Sequence, residues 1–469
     1  SFPTRRSSDL MLLLVLFCMI LCLLVIAAFI VASIRRKRFA YDVSRDYEYG
    51  QLPKSATVSL REGELILPDT IGANDTVIAR INVKSGWLGR LVMPWIGVKT
   101  NRGEWRAYVE HGGNGARYLN LTDTFDDGSR KITLSGNRVF LPDQEVELSV
   151  YPRECLSGKK ILVLAPHADD AELAAYGLYE KHAADTLVVT ITAGEGGSFH
   201  YNNLYARNPE QMQAQYLQKG RMRVWNSLTV PLLAGVSSEN ILQLGYFDST
   251  LQVMKQNPDA DVKSTKLDTA DVNLFRRANT SPLSKGLNGG SNWRGLVNNL
   301  AYIIETFQPD IIVSPSPNID AHKDHQYTTI AAVEALKQLD YRKGSLFLHT
   351  LHFLSDDFPI GKSGSMLSLP PMFGQPFHFH SVYSLPLNKE EQNRKLLALD
   401  AMNDIRPNAN GYADWKTMIF RGLNGLRHHV FDIDRDLVNR FVRSNELFYV
   451  VPVSDVHQED SYQKIVQCG

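Results

Sequence analysis

Histidines and carboxylates are concentrated in two short segments of the chain. Residues 166–172 read PHADDAE, and residues 321–325 read AHKDH. A catalytic zinc ion needs about three nitrogen or oxygen ligands from the protein and an open position for water. One histidine and one carboxylate from the first segment, with one histidine from the second, would supply that set. The residue types therefore favour metal-assisted chemistry.

Each segment alone is weak evidence for a metal site. An H-x-x-H pair often arises by chance in a surface loop, and an Asp-Asp pair before a helix commonly caps that helix and favours its dipole. Their placement strengthens the hypothesis, because each segment follows an apolar run that is typical of a buried strand. Two loops from neighbouring parallel strands can converge on one point.

The region that carries both segments alternates apolar strands with helical patterns. In order, these are strand 161–166, helix 172–182, strand 186–194, helix 296–307, strand 311–316 and helix 327–339. This alternation predicts an α/β fold with a Rossmann-like open, mostly parallel sheet, in which ligands bind at the carboxyl ends of the strands. The polar stretch between residues 248 and 293 is long for a connection, so we expect a lid or a substrate-shaping insertion there.

Two further regions precede this one. Residues 45–153 contain seven short strand-like runs separated by Gly, Asn and Asp clusters, which predicts a small β-sandwich. It acts either as a sugar-binding module or as a spacer or packing module. Residues 1–9 do not begin with Met and are interpreted as a sequence scar. Residues 10–34 are uncharged and apolar, which predicts a transmembrane helix, with a cleaved signal peptide as the alternative.

The basic cluster at residues 35–38 places the catalytic domain in the cytoplasm by the positive-inside rule, so the sequence predicts a single-pass membrane protein. The 469 residues carry 50 Lys plus Arg and 50 Asp plus Glu, so no basic excess indicates a nucleic-acid partner. Four cysteines are too few for a disulfide scaffold.

The two polar segments resemble the motifs of one enzyme family. PHADDAE is similar to the P-H-P-D-D-E signature of the LmbE-like (PIG-L) deacetylases, which include the N-acetylglucosaminyl-phosphatidylinositol de-N-acetylases, and AHKDH resembles their H-P-D-H motif. Residues 244–248 (LGYFD) and 192–196 (TAGEG) resemble two further family motifs. The resemblance covers roughly residues 158–340 and implies an LmbE-like deacetylase domain over residues 158–455.

The resemblance implies roles for individual residues. It matches the zinc ligands to His167, Asp170 and His325, and the general base to Asp169. His322 would stabilise the oxyanion and, like protonated Asp169, could protonate the amine leaving group. Three further residues have supporting roles. Asp324 would orient one imidazole, and Arg223 and Asp248 would contact the substrate.

Some residues depart from the family pattern. Ala168 and Lys323 stand where the family has proline, which alters loop stiffness rather than chemistry. Ala171 displaces the acidic Glu172 by one position, which leaves its role open. Two other regions depart further: Asn226 replaces a family glutamate three residues after Arg223, and residues 395–404 resemble a family helix without its histidine.

The resulting hypothesis is a zinc-dependent hydrolase that removes the N-acetyl group from an N-acetylglucosamine-type sugar, lipid- or glycan-linked, since an anchor would concentrate the enzyme near membrane-bound substrates. The alternatives are a zinc amidase acting on a non-sugar acyl amide and a glycan-binding membrane protein without catalysis. Iron or cobalt would suit the ligands almost as well as zinc. His378 and His380 alternate as in a strand, so they lie either on a solvated face or in a second metal site.

Overall fold

The computed structural model describes residues 5–36, 39–50, 52–197, 209–353, 358–406, 419, 422–423, 426, 434 and 436–468. An N-terminal helix, α1 (Arg5–Arg36), precedes a β-rich region and then an α/β region.

The prediction of a transmembrane helix over residues 10–34 is wrong. Within the ranges given above, no helix is long and apolar enough to cross a membrane. The single-pass membrane localisation rests on that span and is wrong as well.

The β-rich region is a sandwich of two antiparallel sheets. The first sheet has the order β1-β9-β3-β6, with β8 paired to β3, and the second has the order β2-β7-β4-β5. The strands are β1 (Ala56–Leu60), β2 (Glu64–Ile66), β3 (Asp75–Ser85), β4 (Trp95–Thr100), β5 (Gly103–Tyr108), β6 (Asn114–Asn120), β7 (Lys131–Asn137), β8 (Val139–Phe140) and β9 (Gln144–Pro152). Alternate residues such as Val77, Ala79 and Ile81 enter the core between the sheets, because successive side chains of a strand face opposite sides. The exact domain boundaries at residues 45 and 153 stay a prediction.

The outer face of the sandwich packs on the α/β region. Ile78 and Tyr151 belong to the hydrophobic core of that region. The backbone N–H of Ser384 donates to Thr76 Oγ1 at 3.0 Å, and Asn120 Nδ2 donates to Ser384 Oγ at 2.9 Å. The sandwich is therefore a packed part of the molecule rather than a spacer.

The α/β region contains a seven-stranded sheet of order β12-β11-β10-β13-β14-β16-β15. Its strands are β10 (Ile161–Ala165), β11 (Thr186–Thr192), β12 (Ile241–Tyr246), β13 (Ile311–Pro315), β14 (Ser345–His349), β15 (Ser381–Pro386) and β16 (Asn445–Pro452). The first five strands in this order are parallel, and β16 and β15 join as an antiparallel edge. The predicted Rossmann-like, mostly parallel sheet is confirmed.

Helices cover both faces of this sheet, which accounts for the uninterrupted apolar runs of its central strands. They are α2 (Asp170–Lys181), α3 (Pro209–Thr229), α4 (Leu251–Gln256), α5 (Asn273–Arg276), α6 (Trp293–Phe307), α7 (Lys323–Gln338), α8 (Lys389–Ala401), α9 (Leu437–Arg440) and α10 (Glu459–Val466). Within the polar stretch 248–293, buried Val272 and Phe275 anchor the chain against the sheet.

The strand order creates a switch point between β10 and β13. The chain leaves β10 towards β11 on one side and returns to β13 on the other. In open α/β sheets the crevice at such a point, outside the carboxyl ends of the strands, is where ligands bind. The segments 166–172 and 321–325 both begin within this crevice.

A buried ion pair ties α2 to the antiparallel edge. Lys395 Nζ lies 2.8 Å from Glu446 Oε1, and both side chains are almost fully buried. Glu446 also accepts hydrogen bonds from the backbone N–H groups of Gly177 and Leu178 at 2.8 and 2.9 Å.

We expect Glu446→Ala to lower the free energy of unfolding by about 3–5 kcal/mol, because it leaves a buried ammonium group without its partner. Urea unfolding followed by circular dichroism measures this change. Glu104→Ala, which breaks the exposed pair with Lys99, is the control and should leave the unfolding midpoint unchanged. An unchanged midpoint in Glu446→Ala would show that the buried pair does not hold α2.

Candidate metal centre

Two loops at the switch point carry the predicted site residues. The first connects β10 to α2, which begins at Asp170, and the second connects β13 to α7, which begins at Lys323. Asp169 caps α2 with φ +114°, a conformation that L residues rarely adopt and that is often found at functional sites. This turn presents the adjacent carboxylates of Asp169 and Asp170 separately to the crevice.

The three predicted metal ligands converge on one carboxylate oxygen. Asp170 Oδ2 lies 3.2 Å from His167 Nδ1 and 3.2 Å from His325 Nε2. His167 and His325 are 7% and 0% exposed. The structure thus brings together two imidazoles and one carboxylate from the loop before α2 and the first turns of α2 and α7, as the sequence predicts.

This arrangement fits a divalent metal ion. At metal–ligand distances of about 2.0–2.1 Å, the ligand atoms of a tetrahedral site lie about 3.3 Å apart, close to the two separations at Asp170. His325 Nε2 is buried and makes no hydrogen bond of acceptable geometry. Among the described residues, three sets from this cluster each place one potential ligand atom per residue within 4.8 Å of one another: His167, His322 and His325; Asp170, His325 and His352; and His167, Asp248 and Asp324. The donor set suits zinc and also other divalent transition metals.

Two buried aspartates orient the imidazoles. Asp324 Oδ2 lies 3.2 Å from His167 Nε2 and accepts the backbone N–H of Ser249 at 2.7 Å. Asp320 Oδ2 lies 3.2 Å from His325 Nδ1. With these nitrogens bonded to carboxylates, the other ring nitrogen of each histidine is left to face Asp170. Carboxylate partners of this kind fix the tautomer of metal-binding histidines.

Asp320 was not singled out in the sequence, although it precedes His325 by five residues. It is fully buried, and the N–H groups of Leu351 and His352 donate to its Oδ2 at 3.0 and 3.1 Å. Burial alone would raise the pKa of Asp320, but His325 and these hydrogen bonds lower it to about 2. Asp320 is therefore ionised at neutral pH.

We expect Asp320→Asn to weaken metal binding by about 10- to 100-fold, the range typical of groups that orient metal ligands. The variant keeps the ligands His167, Asp170 and His325. Competition with a chromophoric chelator measures the affinity. A variant that binds metal as tightly as the wild type would remove Asp320 from the support of His325.

Arg223 lies behind Asp169 rather than free in the crevice. Its Nη2 donates to the backbone oxygen of Ala168 at 2.7 Å and lies 3.3 Å from Asp169 Oδ1. Its Nη1 donates to Asp404 Oδ2 at 2.7 Å. Asp404 follows α8 and was not predicted. It lies near Arg223 because the end of α8 meets α3 through the hydrogen bonds of Asn226 with Ala401 and Asn403. Burial raises the pKa of Asp169 to about 6, against the opposing effect of Arg223.

The loop after β11 packs against Arg223. Gly194 has φ +61°, and a Cβ there would collide with the Arg223 side chain. Glu195 is buried and accepts the N–H of Asp248 at 3.0 Å. Asp248 Oδ1 accepts from Ser249 Oγ at 3.0 Å and lies 3.6 Å from His167 Nε2. Asp248 thus lies at the rim of the cluster.

The ring of His322 lies beside the rings of His167 and His325. Its ring centroid lies 4.8 Å from that of His167 and 4.9 Å from that of His325. Its Nδ1 is buried without a hydrogen-bond partner. Burial, together with the charges of His167 and His325, lowers the pKa of His322. His352, which the sequence did not indicate, lies 4.8 Å from His325 by ring centroid.

Glu172 is turned away from the cluster. It is buried, and Tyr179 Oη donates to Glu172 Oε1 at 3.0 Å. Burial raises the pKa of Glu172 to about 8. Because Ala171 shifts Glu172 by one position, the Glu172 carboxyl group bonds Tyr179 within α2. Asn226, in place of the family glutamate, donates from Nδ2 to the backbone oxygen of Ala401 at 3.2 Å.

Solved structures of other proteins align with 62–63% of this chain at low sequence identity. The A40926 pseudoaglycone deacetylase Dbv21 is 16% identical over 63% of this chain and 98% of that chain, with a TM-score of 0.33. The zinc-inhibited form of teicoplanin deacetylase Orf2 is 18% identical over 62% and 97%, with a TM-score of 0.32. GalB, the 4-carboxy-2-hydroxymuconate hydratase from Pseudomonas putida, is 16% identical over 62% and 96%, with a TM-score of 0.30. Scores this low carry no argument about the substrate.

No curated protein matches the chain. The model of the family described as GlcNAc-PI de-N-acetylase (PIG-L) matches residues 162–336. This match begins in β10 and ends in α7, so it contains both loops of the candidate metal centre. Residues 162–336 therefore belong to the PIG-L, or LmbE-like, family, as the motifs at 166–172 and 321–325 predict.

Proposed function

We propose that this protein is a zinc-dependent hydrolase that removes the acetyl group from an N-acetylglucosamine-type sugar. One observation carries the proposal: Asp170 Oδ2 lies 3.2 Å from a nitrogen of His167 and 3.2 Å from a nitrogen of His325, with the carboxylate of Asp169 next in the chain. This arrangement supplies a set of metal ligands and a separate base in one buried crevice. The family match over residues 162–336 supports the same chemistry.

When bound by His167, Asp170 and His325, zinc supplies a Lewis acid that polarises the acetamide carbonyl and activates water. Asp169 is the proposed general base and takes the proton of the attacking water. Its pKa of about 6 suits this role, because a base with a pKa near the working pH is both ionised and able to hold a proton. Arg223, at 3.3 Å, holds the carboxylate in place.

His322 is the proposed group that stabilises the tetrahedral oxyanion. Its lowered pKa keeps the imidazole neutral at pH 7, so that one ring nitrogen carries a proton to donate. Such donors typically contribute about 10²- to 10³-fold in rate. The proton that Asp169 receives, or the one on His322, then passes to the amine nitrogen as the C–N bond breaks.

Asp248 is the proposed contact for a sugar hydroxyl, because it lies at the rim and its Oδ2 is turned towards Gly196. The contacts of Arg223 favour a role other than the predicted contact with the substrate. Since its guanidinium group bonds Ala168, Asp169 and Asp404, we propose that it positions the base instead.

Acetate release from a panel of amides tests the proposed substrate class. The panel contains free N-acetylglucosamine, its glycan-linked and lipid-linked conjugates, and N-acetyl amino acids as non-sugar amides. Release from the sugars alone supports a sugar deacetylase. Release from N-acetyl amino acids alone would favour the zinc amidase alternative, and no release from any compound with metal-loaded protein would favour glycan binding without catalysis. We do not expect lipid-linked conjugates to be preferred over the other sugars, because that expectation depended on the predicted membrane helix, which is not supported.

A further inference from the structure

We propose that His378, His380 and Asp455 form a second site for a divalent transition metal, of the class of Zn²⁺, Co²⁺ and Ni²⁺. This site is separate from the candidate metal centre. The inference does not depend on the proposed deacetylase function.

Both imidazoles point at the same oxygen atom. His378 Nε2 lies 2.6 Å from Asp455 Oδ2, and His380 Nε2 lies 2.8 Å from it. The two rings lie 5.4 Å apart by centroid. Three potential ligand atoms, two nitrogens and one oxygen, therefore meet within one small volume. This is the donor set that zinc and its neighbours in the transition series favour.

The cluster is held in place by the packing around it. Phe377 and Phe379, which alternate with the histidines, are 3% and 5% exposed and pack on Tyr449 of β16 at centroid distances of 4.7 and 5.6 Å. In an extended segment this burial turns the two intervening side chains to the opposite face. The N–H of His380 also donates to the backbone oxygen of Val450 at 2.8 Å. The histidines are therefore oriented before any ion binds.

The accessibility of the three side chains suits an ion from solution. The side chain of Asp455 is 7% exposed, that of His378 is 16% exposed and that of His380 is 55% exposed. A simple solvated face would leave all three open, whereas here two are largely buried and the third borders on water. An ion can thus enter beside His380 and keep water molecules in its open positions.

The strand order places this cluster far from the candidate metal centre. Asp455 follows β16, whose end at Pro452 pairs with Ser345 at the start of β14, and His380 precedes the start of β15. The cluster therefore lies at the amino ends of the parallel strands, whereas the candidate metal centre lies at their carboxyl ends. A five-residue strand spans about 15 Å, so the two sites cannot share one ion.

Metal binding would replace the hydrogen bond between His378 and Asp455, and the close contact between His380 and Asp455, with bonds to the ion. Ligand atoms around a tetrahedral zinc lie about 3.3 Å apart, so the separations of 2.6 and 2.8 Å must widen by about 0.5–0.7 Å. The exposed ring of His380 can move by this amount. Each Nε2 must then be unprotonated, with the proton on Nδ1. A bound ion would join the segment before β15 to the segment after β16.

Co²⁺ and Zn²⁺ binding to the full chain tests the inference. Metal per protein is measured by equilibrium dialysis against a zinc buffer and by the visible absorption of Co²⁺, for the wild type, Asp170→Asn, His378→Ala/His380→Ala and the combination of all three changes. His182→Ala is the matched control, because His182 is partly buried and belongs to none of the potential metal-binding sets in the described part of the chain. His380→Gln removes only the most exposed ligand, so it tests the site without disturbing the buried packing.

The inference predicts two ions per wild-type chain and one in His378→Ala/His380→Ala, with His182→Ala like the wild type. Asp170→Asn should keep one ion, the triple variant should bind none, and His380→Gln should weaken the second ion by at least about tenfold. One ion per chain in the wild type, lost in Asp170→Asn, would overturn the second site. A second ion that binds to His380→Gln and to His378→Ala/His380→Ala as tightly as to the wild type would also overturn it.

Discussion

Asp169→Asn is expected to lower kcat for acetate release by about 10²- to 10⁴-fold while leaving the metal content unchanged. The range is the usual contribution of a general base. The amide keeps the size of the side chain and the hydrogen bond from Arg223, but it cannot accept a proton from water. The carboxylate that binds the metal, on Asp170, is untouched. Activity and metal content therefore separate in this variant.

The pH profile provides a second test of the same role. Asp169 has a pKa of about 6, so the wild-type rate should fall as the pH drops through 6 and the base becomes protonated. The residual rate of Asp169→Asn should lack this fall. Asp460→Asn, an exposed aspartate on α10, is the control and should match the wild type. Equal rates in the wild type and Asp169→Asn would remove Asp169 from the mechanism.

Asp170→Asn is expected to abolish acetate release and to weaken metal binding at the candidate centre. The loss of metal affinity should exceed the about 10- to 100-fold expected for Asp320→Asn. Asp170 Oδ2 is the one atom within 3.2 Å of both His167 and His325, so its charge holds the two imidazoles together. An amide removes that charge and offers a poorer ligand. Isothermal titration with Zn²⁺ and the acetate assay measure the two effects.

Asp310→Asn is the matched control for this variant. Asp310 lies just before β13, at the opposite end of the strand from the metal centre, and its carboxylate accepts the backbone N–H of Lys160 at 2.9 Å. It should bind metal and turn over as the wild type does. Full activity of Asp170→Asn at the same zinc concentration would contradict the assignment of Asp170 as a ligand.

The parts of the site that the sequence predicted are those fixed by local pattern. Apolar runs located β10 and β13. His167 and Asp170, which follow β10, and His325, in the first turn of the helix after β13, could therefore be placed at the same sheet edge. The parallel order of these strands then brings them together. These positions were predictable because each proposed ligand lies within ten residues of a strand whose uninterrupted apolar sequence indicates that the strand is buried.

The parts that the sequence did not predict depend on contacts between distant segments. Asp320 supports His325 only because the backbone at Leu351 folds back onto its carboxylate. Asp404 bonds Arg223, 181 residues away in sequence, because the end of α8 is hydrogen-bonded to Asn226 of α3. The predicted membrane helix is a separate case, because no helix in the described part of the chain is long and apolar enough to cross a bilayer.

Anomalous diffraction at the zinc absorption edge, from crystals of the full chain loaded with Zn²⁺, tests the central claim most directly. The claim predicts a peak within about 2.0–2.2 Å of His167 Nδ1, an Asp170 carboxylate oxygen and His325 Nε2. A fully loaded crystal with no peak between these three atoms would contradict it, whatever is found at His378 and His380.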